Sequence, residues 1–405
     1  MSRQTYVIVG GGLTAARAAQ ALRESGEDGD VVLVAEEPYR PYERPDLSKA
    51  FLAGEKDRDE LAALDADWYD EHGVELRLGV TATHLDTATR QLRLSDGSPL
   101  GYDRLLLATG STPNRLGVEG SRLRGVHYLR TVDDSEDLRD VLAQGGPLVI
   151  VGGGWIGLEV AAVARTRGVE VTVLEQGPVP LRRVLGDPMG GWFADLHRRH
   201  GVDVRTGARV ARLRGDFDVE AVVTEDGEEI PARAVLAAVG VGPRSELALS
   251  AGLEVVDGIV TDGRLRTSDP YVWAAGDVAN ADNAWAGRRL RVEHWANAQD
   301  QGAFAGRSMA GAGEEWARPP FFFTDQYDVA MEYRGWVDPD EADLVVRGRP
   351  QDADFAAFWL VDGAVHAGMH VNRWGEADAV KRLVEDRVVV DVAALADEGT
   401  DLAAL

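Results

Sequence analysis

The 405-residue chain carries 43 Lys and Arg against 68 Asp and Glu, a formal charge of -25, with 45% hydrophobic and 27% charged residues. Its length implies two or three domains and room to bury a cofactor, while its acidity excludes nucleic acid and anionic membrane surfaces as general partners. It has no cysteine, which removes disulfides, thiolate metal sites, an iron-sulfur cluster on this chain and a redox-active Cys pair; any redox chemistry must reside in a bound cofactor.

The N-terminus, MSRQTYVIVGGG, enters a strand without a charged leader and apolar signal segment, and no run of 18 apolar residues follows. A cytoplasmic protein with no membrane span is the expectation. TYVIV at 5–9 is a short apolar run that meets Gly10-Gly11-Gly12, and Leu13 to Leu22 reads as an Ala-rich helix. A second strand, Val31 to Ala35, ends in Glu36 and Glu37 and closes a βαβ unit. A polar stretch from Asp57 to His72 reads as helical, and the strand-like VELRLG, RQLRLS and RLLLATG lead back to the first sheet. The opening grammar returns at 147–175: PLVIV, Gly152-Gly153-Gly154, a helix from Trp155 to Arg167, and a strand Val169 to Leu174 followed by Glu175. HGVDVRTGARV, VEAVVTEDG and ARAVLAAVG complete this second domain. LRTSDPYVWAAGDVAN feeds a strand back to the first domain, a helix spans His294 to Ala310, and short strands with terminal helices from about Pro319 form a last α+β region. The fold class is therefore α/β, with two Rossmann-like dinucleotide-binding domains and a C-terminal α+β domain. The expected divisions are 1–112 and 243–318 for the first domain, 113–242 for the second and 319–405 for the last.

Each glycine fingerprint has a physical reading. In Gly10-x-Gly12-x-x-Ala15 the first glycine permits the tight turn, the second lets backbone approach a pyrophosphate, and Ala15 lets helix and sheet pack closely; Glu36 is placed to accept from a ribose hydroxyl. Gly152-x-Gly154-x-x-Gly157 repeats the pattern, and Glu175 at its strand end suits an adenosine ribose diol and repels a 2'-phosphate. NADH is favoured over NADPH on that ground, although Arg182 and Arg183 offer cations a few residues on. Two such units imply two dinucleotides.

The combination of PYERPDLSK at 41–49, LLLATGSTPNRL, VHYLRTVDD, GGGWIGLEVAA, VTVLE, AAGDV at 274–278 and EHWANAQDQG resembles the FAD-dependent ferredoxin reductases of oxygenase systems, over nearly the whole chain. The resemblance implies dinucleotide-binding domains of the glutathione reductase type, and FAD binding by Gly12, Ala15, Glu36, Arg44, Lys49, Ala82, Arg130, Asp277 and Trp295, in addition to the turn at Gly10. For NAD it implies Gly152, Gly154, Gly157, Glu159, Glu175 and Arg183. It further implies that Lys49 stands beside the reacting edge of the flavin with Glu159 as its partner, that the helix opening at His294 and Trp295 steadies negative charge on reduced flavin, and that Asp325 and Gln326 lie against the flavin. Phe323 departs from the pattern, standing where several members carry a tryptophan. The implied reaction is hydride transfer from NADH to FAD, then single electrons to a two-iron, two-sulfur (2Fe-2S) ferredoxin serving a haem monooxygenase or a ring-hydroxylating dioxygenase. Without cysteine, a disulfide reductase or a peroxidase using a sulfenic acid is excluded. A rubredoxin reductase or diaphorase is the alternative acceptor reading, and a flavin- and NADH-switched interaction protein resembling apoptosis-inducing factor is the alternative of another class. Arg307, Arg318, Arg334, Arg373, Lys381 and Arg382 are candidates for a basic docking surface that offsets the overall negative charge.

Overall fold

The computed structural model describes residues 3–405; Met1 and Ser2, on which the N-terminal reading partly rests, lie outside the described residues. The chain forms two compact units from interleaved segments. The first comprises residues up to Glu43, Asp59–Thr112 and Gly242–Phe321; the second comprises Arg44–Arg58, Pro113–Val241 and Phe322–Leu405. Segment 44–58, placed in the first domain by its sequence position, lies in the second unit, where 322–405 also belongs.

The core of the first unit is a five-stranded sheet in the order 272–274, 104–107, 5–9, 30–35, 74–78, with every pairing parallel. Except for the edge strand 74–78 (VELRL), its strands are mostly apolar runs because both faces are covered, leaving no solvent side for alternation. Helix Leu13–Glu24 packs against helix Trp295–Met309 through small residues. A Cβ at Gly302 would lie 2.5 Å from the Thr14 carbonyl oxygen, and one at Gly306 2.5 Å from that of Ala18. The glycines are there to let the two backbones approach.

The second unit repeats the arrangement of four of these strands, in the order 203–206, 171–175, 148–151, 234–237, and adds 126–127 at the edge, a strand that precedes the others in sequence; all pairings are again parallel. It also contains a five-stranded sheet ordered 321–326, 329–335, 364–371, 354–361, 343–349. Val380 and Val384 of helix Ala377–Glu385 pack on Gly368 of that sheet. Among the described residues no helix is long and apolar enough to cross a membrane.

One stretch differs from expectation, and one helix lies where no element was expected. Residues 57–72 hold only 3-10 turn Arg58–Leu61 and the single turn Trp68–Glu71, because backbone groups needed for a helix are used elsewhere: the Glu43 N–H donates to the Leu61 carbonyl and the Ala63 N–H to that of Pro41. Conversely, Arg182–Arg199 is helical although it contains Pro188 and a non-helical Gly186 (φ 72°); it is two helices joined across a kink.

Candidate active site

The two glycine loops are built alike. Gly10 (φ +146°) and Gly152 (φ +109°) adopt conformations that favour glycine, and a Cβ on either would lie 2.1 or 2.3 Å from the carbonyl oxygen of Ala108 or Ala238. Gly12 and Gly154 are different. Both cap helix N-termini in extended conformation, neither first turn carries an acidic side chain, and a Cβ on either would meet nothing within 4 Å. Each therefore leaves open space before a helix N-terminus whose first N–H groups lack helical partners, which fits a dinucleotide pyrophosphate. Ala15 is fully buried, and a Cβ at Gly157 would sit 2.2 Å from the Gly152 carbonyl oxygen.

In the first unit, Asp277 follows Gly276, whose φ of +77° and close approach to Thr14 Oγ1 exclude a side chain. Its carboxylate is nearly buried and accepts from the Ser111 hydroxyl at 2.7 Å, which orients it and offsets its desolvation. Trp295 opens the helix capped by His294 and donates from Nε1 to Glu43 at 3.1 Å. Burial pushes the His294 imidazole down to about 4, with the Asp277 carboxylate opposing. Glu36 is exposed at its strand end and pairs with Arg244 at 2.6 Å. Ala82 begins an antiparallel strand and pairs with Leu94.

In the second unit, Glu175 is fixed by the glycine loop it serves: one carboxylate oxygen accepts from the Gly153 N–H at 2.8 Å and the other from the Gly177 N–H at 2.6 Å. Arg182 is occupied by Asp187 and Asp340, while Arg183 is exposed. Replacing Glu175 with alanine is expected to raise KM for NADH about tenfold with a smaller effect on kcat, and to narrow the preference over NADPH. Steady-state kinetics with both nucleotides check this.

The 3-10 turn Pro45–Ser48 presents Lys49. It is anchored by Ser135, whose hydroxyl donates to the Leu47 carbonyl at 2.7 Å, and by Arg44, which donates to the Arg130 carbonyl at 2.5 Å. Lys49 Nζ lies 2.9 Å from Glu159 Oε2, with both side chains largely buried, and 5.6 Å from the Phe323 ring centroid. Glu159, on helix Trp155–Thr166, also accepts from Ser48 at 2.5 Å and Thr324 at 2.7 Å. The carboxylate is thus held by one cation and two hydroxyls. Asp325 beside it, exposed in part, has its carboxyl pushed up by the partial desolvation that its neighbours impose, opposed by Lys49 and reinforced by Glu159.

Ser48 and Thr324 escaped sequence reading because they are separated from Glu159 by 111 and 165 positions. The pair Asp325 and Gln326 splits: Asp325 is exposed, whereas Gln326 turns inward to His197 at 2.8 Å. The proposed docking cations need correction too. Arg307 pairs with Glu314, Arg318 with Asp300, Arg334 with Glu385, and Arg373 with Asp354, Glu376 and Glu398. Arg382 donates to the Leu402 carbonyl, and Lys381 is exposed. Most of these charges are already matched locally, so they do not supply the excess positive potential expected of them.

Residues 4–302 match the family model described as pyridine nucleotide-disulphide oxidoreductase, and residues 321–405 match the reductase C-terminal model. The chain belongs to the pyridine nucleotide-disulphide oxidoreductase family. Within that family it is 39% identical over 402 residues to the biphenyl dioxygenase system ferredoxin–NAD(+) reductase component of Paraburkholderia xenovorans, covering 98% of this chain and 97% of the relative. It is 37% identical to putidaredoxin reductase of Pseudomonas putida, covering 99% and 96%. It is also similar to the structure of the covalent putidaredoxin reductase–putidaredoxin complex, with a TM-score of 0.95, 36% identity and coverage of 99% and 98%. Despite the family description, this chain has no cysteine.

Proposed function

We propose that this oxidoreductase is an FAD-dependent NADH:ferredoxin reductase, passing single electrons to a 2Fe-2S ferredoxin that serves a haem monooxygenase or ring-hydroxylating dioxygenase. The observation that carries the reading is the duplicated dinucleotide cradle in a chain without cysteine. FAD supplies the conversion of a hydride into two separately released electrons, which no side chain here can perform.

The chain's own residues bind and orient. In this reading Gly12 and the helix it caps take the FAD pyrophosphate, Asp277 accepts from ribityl hydroxyls, and Glu36 takes the adenosine ribose. Helix Trp295–Met309 contributes the partial positive charge of its N-terminus. Gly154 and Glu175 grip NADH, and the carboxylate at Glu175 disfavours a 2'-phosphate. Lys49, held by Glu159, supplies a fixed positive charge for the reacting edge, where a poorly hydrated setting makes it more effective than in water. Arg44, Ala82, Arg130 and Arg183 are assigned lesser binding roles. Consumption of NADH, an intracellular reductant, places the protein in the cytoplasm in this reading.

Acceptor choice is tested by NADH-driven steady-state turnover with purified 2Fe-2S ferredoxin, rubredoxin and dyes. The ferredoxin is expected to give the highest kcat/KM. Preference for rubredoxin, or activity with dyes alone, would replace the proposed acceptor.

A further inference from the structure

Glu159 is also the end of a buried hydrogen-bond chain that hydride transfer as described above does not use. Paired with Lys49 at 2.9 Å, Glu159 is a carboxylate and can only accept. The Thr324 hydroxyl, 2.7 Å from Glu159 Oε1, must therefore donate to it. Thr324 Oγ1 in turn accepts from Gln326 Nε2 at 3.1 Å. That orientation turns Gln326 Oε1 toward His197 Nε2, 2.8 Å away. A carbonyl oxygen only accepts, so the His197 proton is on Nε2. Nδ1 is then an acceptor, and the Tyr327 hydroxyl, 3.1 Å from it, donates.

Every donor in the series points toward Glu159, and the core of the chain is dry: His197 and Thr324 are 0% exposed, Gln326 1% and Glu159 5%. Burial pushes the His197 imidazole down to about 4, with the Gln326 hydrogen bond opposing and His200 adding to the shift, so it stays neutral at physiological pH. Tyr327 is anchored at the far end by stacking on His200, ring centroids 3.6 Å apart, and holds a left-handed φ of 58° that is costly for a non-glycine residue. Other charged groups at the Glu159 end are Lys49 and Asp325, and Asp325 in turn feels Asp46 and Glu332.

We propose that Thr324, Gln326 and His197 are positioning residues for hydride transfer: their one-directional chain keeps the Glu159 carboxylate turned toward Lys49. A hydroxyl that donates to one carboxylate oxygen fixes the plane of the group, and the neutral histidine fixes which way the intervening amide faces. This rests on the reading of Lys49 and Glu159 as part of the reacting site.

The test uses the FAD-loaded protein. Anaerobic stopped-flow reduction by NADH is measured for wild type, Thr324→Val, Thr324→Ser and Glu159→Gln, and nitrogen NMR reports the His197 tautomer. Thr324→Val is expected to slow reduction about tenfold, while Thr324→Ser restores the rate. His197 is expected to be protonated on Nε2 alone in wild type and to lose that single tautomer in Thr324→Val, where Gln326 can turn. If Thr324→Val loses FAD, Gln326→Met breaks the same series one link away. A wild-type reduction rate in the broken-chain variant, lack of rescue by serine, or a His197 tautomer that does not respond overturns the proposal. Glu159→Gln reacting at the wild-type rate instead removes the underlying reading of the Lys49–Glu159 pair, whatever the tautomer shows.

Discussion

Lys49→Met is expected to slow flavin reduction by NADH about a hundredfold while leaving a folded, yellow protein. Methionine keeps most of the lysine stem and removes only the charge, and Ser48 and Thr324 still donate to Glu159. The opposite deletion has a different signature. Lys49 and Glu159 side chains are 13% and 6% exposed, so Glu159→Leu leaves an ammonium without its carboxylate in a poorly hydrated place, at a cost of about 3–5 kcal/mol. Denaturant unfolding should show that loss, and the double variant Lys49→Met/Glu159→Leu should recover part of the stability without recovering the rate. Stability and rate that track each other through all three variants would make the pair purely structural.

Gly12→Val and Gly154→Val are expected to separate the cofactors. Both positions have extended backbone that valine adopts, and both face open space within 4 Å of a built Cβ. The fold should therefore tolerate either change, unlike substitution at Gly10 or Gly152. Gly12→Val is expected to purify folded and colourless, with FAD affinity weakened at least about a hundredfold, because the side chain occupies the pyrophosphate position. Gly154→Val should remain yellow, with the apparent affinity for NADH weakened by about the same factor. Circular dichroism, visible absorption and NADH titration distinguish these outcomes from misfolding.

These contrasts bear on what the amino-acid order reveals. The loops at Gly10 and Gly152 were legible because a local turn, an apolar strand before it and a small-residue helix after it must all occur within a few positions. The helix capped by His294 was legible for the same reason, its range of Trp295–Met309 falling within one residue of the expectation. Side-chain partners brought from afar were not. Nothing near Glu159 announces Ser48 or Thr324, and strand alternation at 321–326, which sends Gln326 inward and Asp325 outward, was hidden because the family resemblance gave Asp325 and Gln326 one shared position against the flavin. No element was expected at 182–199, and the helix there contains Gly186 and Pro188, residues that normally interrupt helices. The docking arginines failed for a further reason: charge position in sequence says nothing about the carboxylate that folding sets beside each one.

The most direct measurement is an anaerobic titration of the purified, FAD-reconstituted protein with NADH and, separately, NADPH, followed by oxidised 2Fe-2S ferredoxin. A flavin per chain that NADH bleaches readily and NADPH poorly, and whose visible absorption returns as ferredoxin is reduced, is the predicted result. A chain that stays colourless after reconstitution, or a yellow one that NADH leaves oxidised, contradicts it.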